Sequence, residues 1–166
     1  MTEASRTSPE PSDEDGALIA AVDDDVLGAF VRTSQTLPGG TRLDAPHFTA
    51  SHRIGDRTVA LLLDTTDEAR ARRLLPRMRR AVADGALLRA RAVEAVVHAF
   101  SETPPTRREL TDAHADLLLH TVVVDSASEV VLHLDDSCGE HIMMEGYWPA
   151  VRFDADNQVT DVTIEA

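Results

Sequence analysis

A chain of 166 residues, 43% of them hydrophobic, can bury one core but leaves little room for two independent domains. Its net charge of -13 excludes general nucleic-acid binding, which needs a cationic face against the phosphates. The lone Cys excludes an internal disulfide. All 16 basic residues are Arg, a composition expected of a GC-rich bacterial genome. The opening Met1-Thr2-Glu3-Ala4-Ser5 lacks the basic and apolar stretches of a secretory signal. No apolar run approaches the length of a membrane span, so the cytoplasm is the expected compartment.

In chain order, residues 1–16 are rich in Ser, Pro, Glu and Asp and have no hydrophobic period, which predicts a disordered acidic tail before a domain over 17–166. Gly16 to Val22 fits either a short helix or an extended lead-in. Asp23-Asp24-Asp25 interrupts it, and Val26 to Thr33 reads as a first strand closed by a turn at Pro38-Gly39-Gly40. His47 to Ile54 and Arg57 to Leu63 form a hairpin around Gly55-Asp56. Thr65 and Glu68 have the spacing of a capping box, and Ala71, Leu74, Leu75, Met78 and Val82 follow at helical intervals. Pro76 inside that pattern predicts a kink or a late start. After Asp84-Gly85, Leu88, Ala92, Val93, Val96, Val97 and Phe100 mark a second amphipathic helix, ending at Thr103-Pro104-Pro105. Thr106 and Glu109 form another capping box and open a short helix through Leu117.

From Thr121 the period becomes alternating. Thr121 to Val124 pairs with Val130 to Leu134, His141 to Trp148 is a third strand, Val151 to Phe153 follows Pro149, and Asp154 to Gln158 turns into Val159 to Ile164. Strands, then helices, then strands, with short turns and no repeats, predict an α+β domain: an antiparallel sheet with two to three helices packed on one face.

Chemistry-bearing side chains concentrate between Asp135 and Trp148, a run holding the only Cys, Tyr and Trp. Asp135, Cys138, Glu140, His141 and His133 include all the side-chain types that bind zinc, and Cys138 and His141 have a permissible spacing. A structural zinc site takes four protein ligands, whereas the remaining imidazoles are scattered, so a solvated polar sheet face is the ordinary reading. Cys138 as a nucleophile would need His141 as base, but surrounding acids raise a thiol pKa. Arg70, Arg72, Arg73, Arg77, Arg79 and Arg80 could clamp phosphates; alternatively the protein's own acids neutralise them, or water solvates them. Residues 121–166 hold ten acids and only Arg152 as a base, an asymmetry suited to masking a cationic protein. Tyr147 and Trp148 are either interface anchors or core.

Taken in order, several segments resemble a bacterial α+β family catalogued as a domain of unknown function, some relatives of which are immunity proteins of polymorphic toxin systems. The resemblance rests on Asp25-Val26-Leu27-Gly28, Val59-Ala60-Leu61-Leu62-Leu63 and the paired helices. It rests further on the acidic turn with Gly139 and His141-Ile142, and on Thr160-Asp161-Val162-Thr163-Ile164, and it covers roughly residues 22–166. Where similar sequences place the glycine directly before the histidine, Glu140 intervenes here. The resemblance implies the fold and carries over no catalytic residue.

The expectation is therefore a non-enzymatic protein-interaction module with no cofactor or metal, of the immunity type. An acidic sheet surface of Asp135, Asp136, Glu140, His141, Glu145, Tyr147 and Trp148 covers a basic protein partner such as a toxin, with membrane and nucleic acid disfavoured. The alternative is a small metal-binding protein or enzyme using Cys138, His141 and His133.

Overall fold

The computed structural model describes residues 16–136 and 147–165. Residues 1–15 of the expected tail, and Cys138, Glu140, His141 and Glu145, lie outside the described residues. So does most of the strand expected over His141 to Trp148.

The chain is an α+β domain. Strands β1 (Ala17–Asp24), β2 (Gly28–Thr36), β3 (Arg42–Asp44), β4 (Phe48–Ile54) and β5 (Arg57–Leu63) come first. Helices α1 (Glu68–Ala83), α2 (Gly85–Phe100) and α3 (Arg107–Asp116) follow, then β6 (Leu117–Val124), β7 (Val130–Asp136), β8 (Trp148–Phe153) and β9 (Val159–Glu165). All nine strands among the described residues join one sheet in the order β1-β2-β4-β5-β6-β7-β8-β9, with β3 paired to β2. Neighbours are antiparallel except β5 and β6, which run parallel. That exception follows from the helices: a chain that leaves β5, crosses through three helices and returns beside it arrives in the same direction.

Several local expectations need correction. Residues 17–24 form a strand, so the ambiguous lead-in is extended, and the segment read as the first strand is the second. Val26 and Leu27 belong to the turn between them, where Gly28 adopts φ +86°, a left-handed conformation that suits glycine. Asp67, not Thr65, caps α1: its carboxylate accepts from Arg70 N–H, while Thr65 Oγ1 accepts from Asp67 N–H at 3.2 Å. Pro76 lies exposed within an uninterrupted α1. The Thr106–Glu109 capping box of α3 is present in both directions.

Register explains the core. One cross-strand row runs Phe48–Leu63–Val124–Val130–Phe153, and the next runs Ala50–Leu61–Val122–Leu132–Val151. Period-two alternation puts both rows on one face. Apart from the partly buried Ala50, these side chains are fully buried, and they share one cluster with Ala71, Leu74, Met78 and Ala81 of α1 and Leu88, Ala92 and Val93 of α2. The opposite face carries smaller and more polar rows, such as Ser51–Ala60–Thr121–His133–Ala150–Thr163.

Polar ties then lock helices to turns. Arg77, 6% exposed, donates to Ser128 O at 3.3 Å, Asp154 O at 2.7 Å and Asn157 Oδ1 at 2.9 Å. It thereby pins α1 to the β6–β7 and β8–β9 turns. Burial is the chief influence lowering the Arg77 pKa, with the neighbouring Arg80 charge adding to it. No described helix is long and apolar enough to cross a membrane.

Candidate functional site

The described part of the Asp135–Trp148 region is the end of β7 and the start of β8. Alternation splits the expected acidic surface in two. Asp135 and Asp136 are consecutive in a strand, as are Trp148 and Pro149, so each pair projects to opposite sides of the sheet.

On the side away from the core, His133 and Trp148 lie two residues apart in pairing, because His133 faces Ala150. Their ring centroids are 5.8 Å apart with a 47° tilt. Glu165, opposite Trp148 on β9, places its Oε2 3.1 Å from His133 Nε2. His120, at the register shift between Leu119 and Thr121, puts Nδ1 2.9 Å from Thr121 Oγ1. Burial dominates the His133 pKa and lowers it, His120 adds to the lowering, and the Glu165 charge and hydrogen bond only partly oppose it. His133 is thus held toward the neutral imidazole, with Nε2–H available to donate to Glu165. Asp135, exposed, continues this side beyond His133, and Tyr147 is 47% exposed beside Trp148. Trp148 Nε1 is buried and finds no acceptor among the described residues.

On the core side, the same strand ends border a cavity of about 480 Å³ between α2, α3 and the sheet. Val96, Val97, Phe100, Leu117, Pro149 and Ile164 form its apolar lining, and Glu109, Asp112, Asp116 and Asp136 supply carboxylates. Sequence reasoning missed this cavity. Its signals were Phe100 at the end of a helix and Ile164 near the end of a strand, 58% and 43% exposed.

The basic residues have structural partners instead of forming a phosphate clamp. Arg70 reaches Ser126 O at 3.1 Å, Arg79 reaches Asp24 at 2.7 Å, and Arg72 lies 3.8 Å from Glu68; Arg73 and Arg80 face solvent. Arg152 holds Asp125 and Glu129 at the opposite end of β7 and β8 from Asp135. Those hydrogen bonds and charges outweigh burial and raise the Arg152 pKa. Two of the ten acids after Thr121 are therefore paired with Arg152, the only Arg or Lys in residues 121–166.

His133 and Glu165 stand in contact, but among the described residues no group of three His, Cys, Asp or Glu is arranged to hold a metal ion. Cys138 and His141, the other members of that alternative, lie outside the described residues. Compared with known proteins, the chain matches no family, no curated protein and no solved structure.

Proposed function

We propose that the chain is a non-enzymatic binding protein of the immunity type, acting in the bacterial cytoplasm by covering the basic active site of a toxin. The observation that carries this reading is the segregation of charge along β7 and β8. Arg152, the only Arg or Lys after Thr121, is tied to Asp125 and Glu129 at one end, whereas exposed Asp135 and the aromatic pair Tyr147 and Trp148 occupy the other. Aromatic side chains beside uncompensated acid suit a protein interface: the rings supply buried contact and the charge speeds encounter with a cationic surface. In sequence, Asp136, Glu140 and Glu145 continue the run of acids, with Asp136 projecting to the other side of the sheet, and His141 lies among them.

The test asks whether a neighbouring gene encodes a toxin domain and, where one does, coexpresses the chain with it. Growth protection by the wild-type chain, lost with Asp135→Arg combined with Tyr147→Ala, supports occlusion. Binding should weaken as salt rises. No protection, or protection indifferent to both substitutions and to salt in the purified complex, rejects it.

A further inference from the structure

A smaller cavity, of about 250 Å³, lies between the β4–β5 turn, the first residues of α2 and the start of β6. Ile54, Val59, Ala86 and Leu119 give it apolar walls, and Arg57 and Arg89 border it. We infer that it binds a small monocarboxylate with an apolar body, on the scale of benzoate, through the guanidinium of Arg57. Strand alternation places Arg57 with Val59, Leu61 and Leu63, on the sheet face that forms the core. A cation on that face needs acceptors. Arg77 finds three, on Ser128, Asp154 and Asn157. The Arg57 side chain finds none: its Nε is buried without a hydrogen-bond partner, and its guanidinium makes no ion pair among the described residues. Holding a charged donor out of water and unpaired costs free energy that an incoming acceptor recovers.

Arg89 sets the sign of the cavity in the same direction. Its Nε and Nη2 donate to the carbonyls of Leu117 and His114, neutral partners that fix the side chain and leave its charge uncompensated. Asp56 is the one carboxylate in the lining; it stands exposed in the hairpin turn, and no ion pair joins it to either arginine. A cationic ligand would therefore meet two guanidinium groups, and a neutral one would leave the Arg57 donor unpaired. Approached from the side, Nε–H and one Nη–H of a guanidinium form a parallel pair that matches the two oxygens of a carboxylate. The cavity is somewhat smaller than drug-sized sites, which begin at roughly 300 Å³, so its apolar walls suit a body of about one ring.

The experiment titrates the full-length chain with benzoate, benzamide, benzylammonium and inorganic phosphate, read by calorimetry and by nuclear magnetic resonance of backbone amides and arginine Nε–H groups. Benzoate should bind at least about tenfold more tightly than the other three, shift Gly55, Ala86 and the Arg57 Nε–H, and weaken with salt. Arg57→Gln should weaken it by about tenfold or more, the scale of a hydrogen bond to a charged group. Arg57→Lys keeps the charge and loses the fork, so it should recover only part of that affinity. Ala86→Asp places a carboxylate at the cavity wall and should abolish binding. Ala86 is exposed, and an acid suits the first turn of a helix, so that variant should fold, as circular dichroism checks. Equal binding of benzoate and benzamide, shifts that map elsewhere, or full affinity in Arg57→Gln overturns the site. Phosphate binding as tight as that of benzoate overturns the inference in favour of an inorganic-anion site. Binding of an acidic peptide but not of benzoate overturns it in favour of a protein partner. Toxin protection is a separate readout, so failure of either reading leaves the other standing.

Discussion

Asp24, at the end of β1, has a fully buried side chain, and its Oδ2 accepts from Arg79 Nε of α1 at 2.7 Å. Its Oδ1 accepts from the backbone N–H groups of Val26 and Leu27 at 2.9 Å each. One carboxylate therefore both closes the β1–β2 turn and ties it to the first helix. Replacing it with Ala removes three hydrogen bonds and should cost about 2–3 kcal/mol, at about 1 kcal/mol apiece. Arg79 is 45% exposed, so water takes over its charge and the penalty stays below that of a fully buried broken pair. Urea unfolding of Asp24→Ala checks this; a loss under about 0.5 kcal/mol, half of one such bond, contradicts it.

The same carboxylate sets an acid limb. Burial pulls the Asp24 pKa upward, but the Leu27 and Val26 backbone bonds and the hydrogen bond and charge of Arg79 together leave it lowered. A group with a lowered folded pKa stabilises above its unfolded value and loses that contribution as pH falls through the folded value. Stability against urea should therefore decline below the ordinary carboxylate range, and the decline should be shallower in Asp24→Asn. Parallel acid limbs in the two proteins would remove Asp24 from the account.

Asn157 combines a backbone and a side-chain role that two substitutions separate. Its φ is +59°, its Oδ1 accepts from Arg77 at 2.9 Å, and its Nδ2 donates to Asp84 Oδ2 at 3.1 Å. Its carbonyl also accepts from Arg91 at 2.8 Å. Asn157→Gly keeps the left-handed turn and loses two side-chain bonds, about 1–2 kcal/mol. Asn157→Ala adds the cost of a non-glycine residue in that conformation, roughly 1 kcal/mol more. Equal melting of the two variants would show that the conformation carries no weight.

Much of the sheet was legible because the second half alternates cleanly. The hairpins at Gly55-Asp56 and around residues 125–129, the turn at 154–158 and the Thr106 cap follow from local signals that tertiary contacts did not need to override. The first strand was not legible. Ala17 to Val22 has little alternation, and its extended state comes from pairing with β2, a partner no local window contains. The parallel β5–β6 pair was also hidden, since hydrophobic period reveals a strand but not its neighbour. At the site, residue types marked the Asp135–Trp148 run, yet the partners that define it came from elsewhere. Glu165 reaches His133 only because β9 folds back on β8, and the cavity joins Phe100 of α2 to Ile164 of β9 across 64 positions of sequence (164 minus 100). The Arg-rich helix left two readings open in sequence, a phosphate clamp or cations neutralised by the protein itself or by water. The fold turns Arg70, Arg77 and Arg79 to carbonyls and carboxylates of the sheet turns, contacts that no local window could assign.

The imidazole of His133 offers a test of the site's electrostatics that needs no partner. Burial lowers its pKa first, Glu165 opposes with charge and a hydrogen bond, and His120 reinforces the lowering. Its nuclear magnetic resonance titration should fall below the ordinary imidazole value. Glu165→Gln should move it lower still, and His120→Gln should move it up. The stability consequence has a definite sign: the unfolded chain takes up the proton at a higher pH than the fold does. Stability therefore falls as pH drops through the ordinary imidazole range toward the folded value, and this slope disappears in His133→Gln. Trp148, the only Trp and 5.8 Å from the ring, supplies an optical readout, because a protonated imidazole quenches indole emission. Emission should drop at a lower pH than for a free imidazole, and the midpoint should shift with Glu165→Gln in the same direction as the resonance. A midpoint at or above the ordinary value would mean that Glu165 outweighs burial, leaving a charged His133 beside Asp135 that partly cancels the acidic end proposed to meet a basic partner.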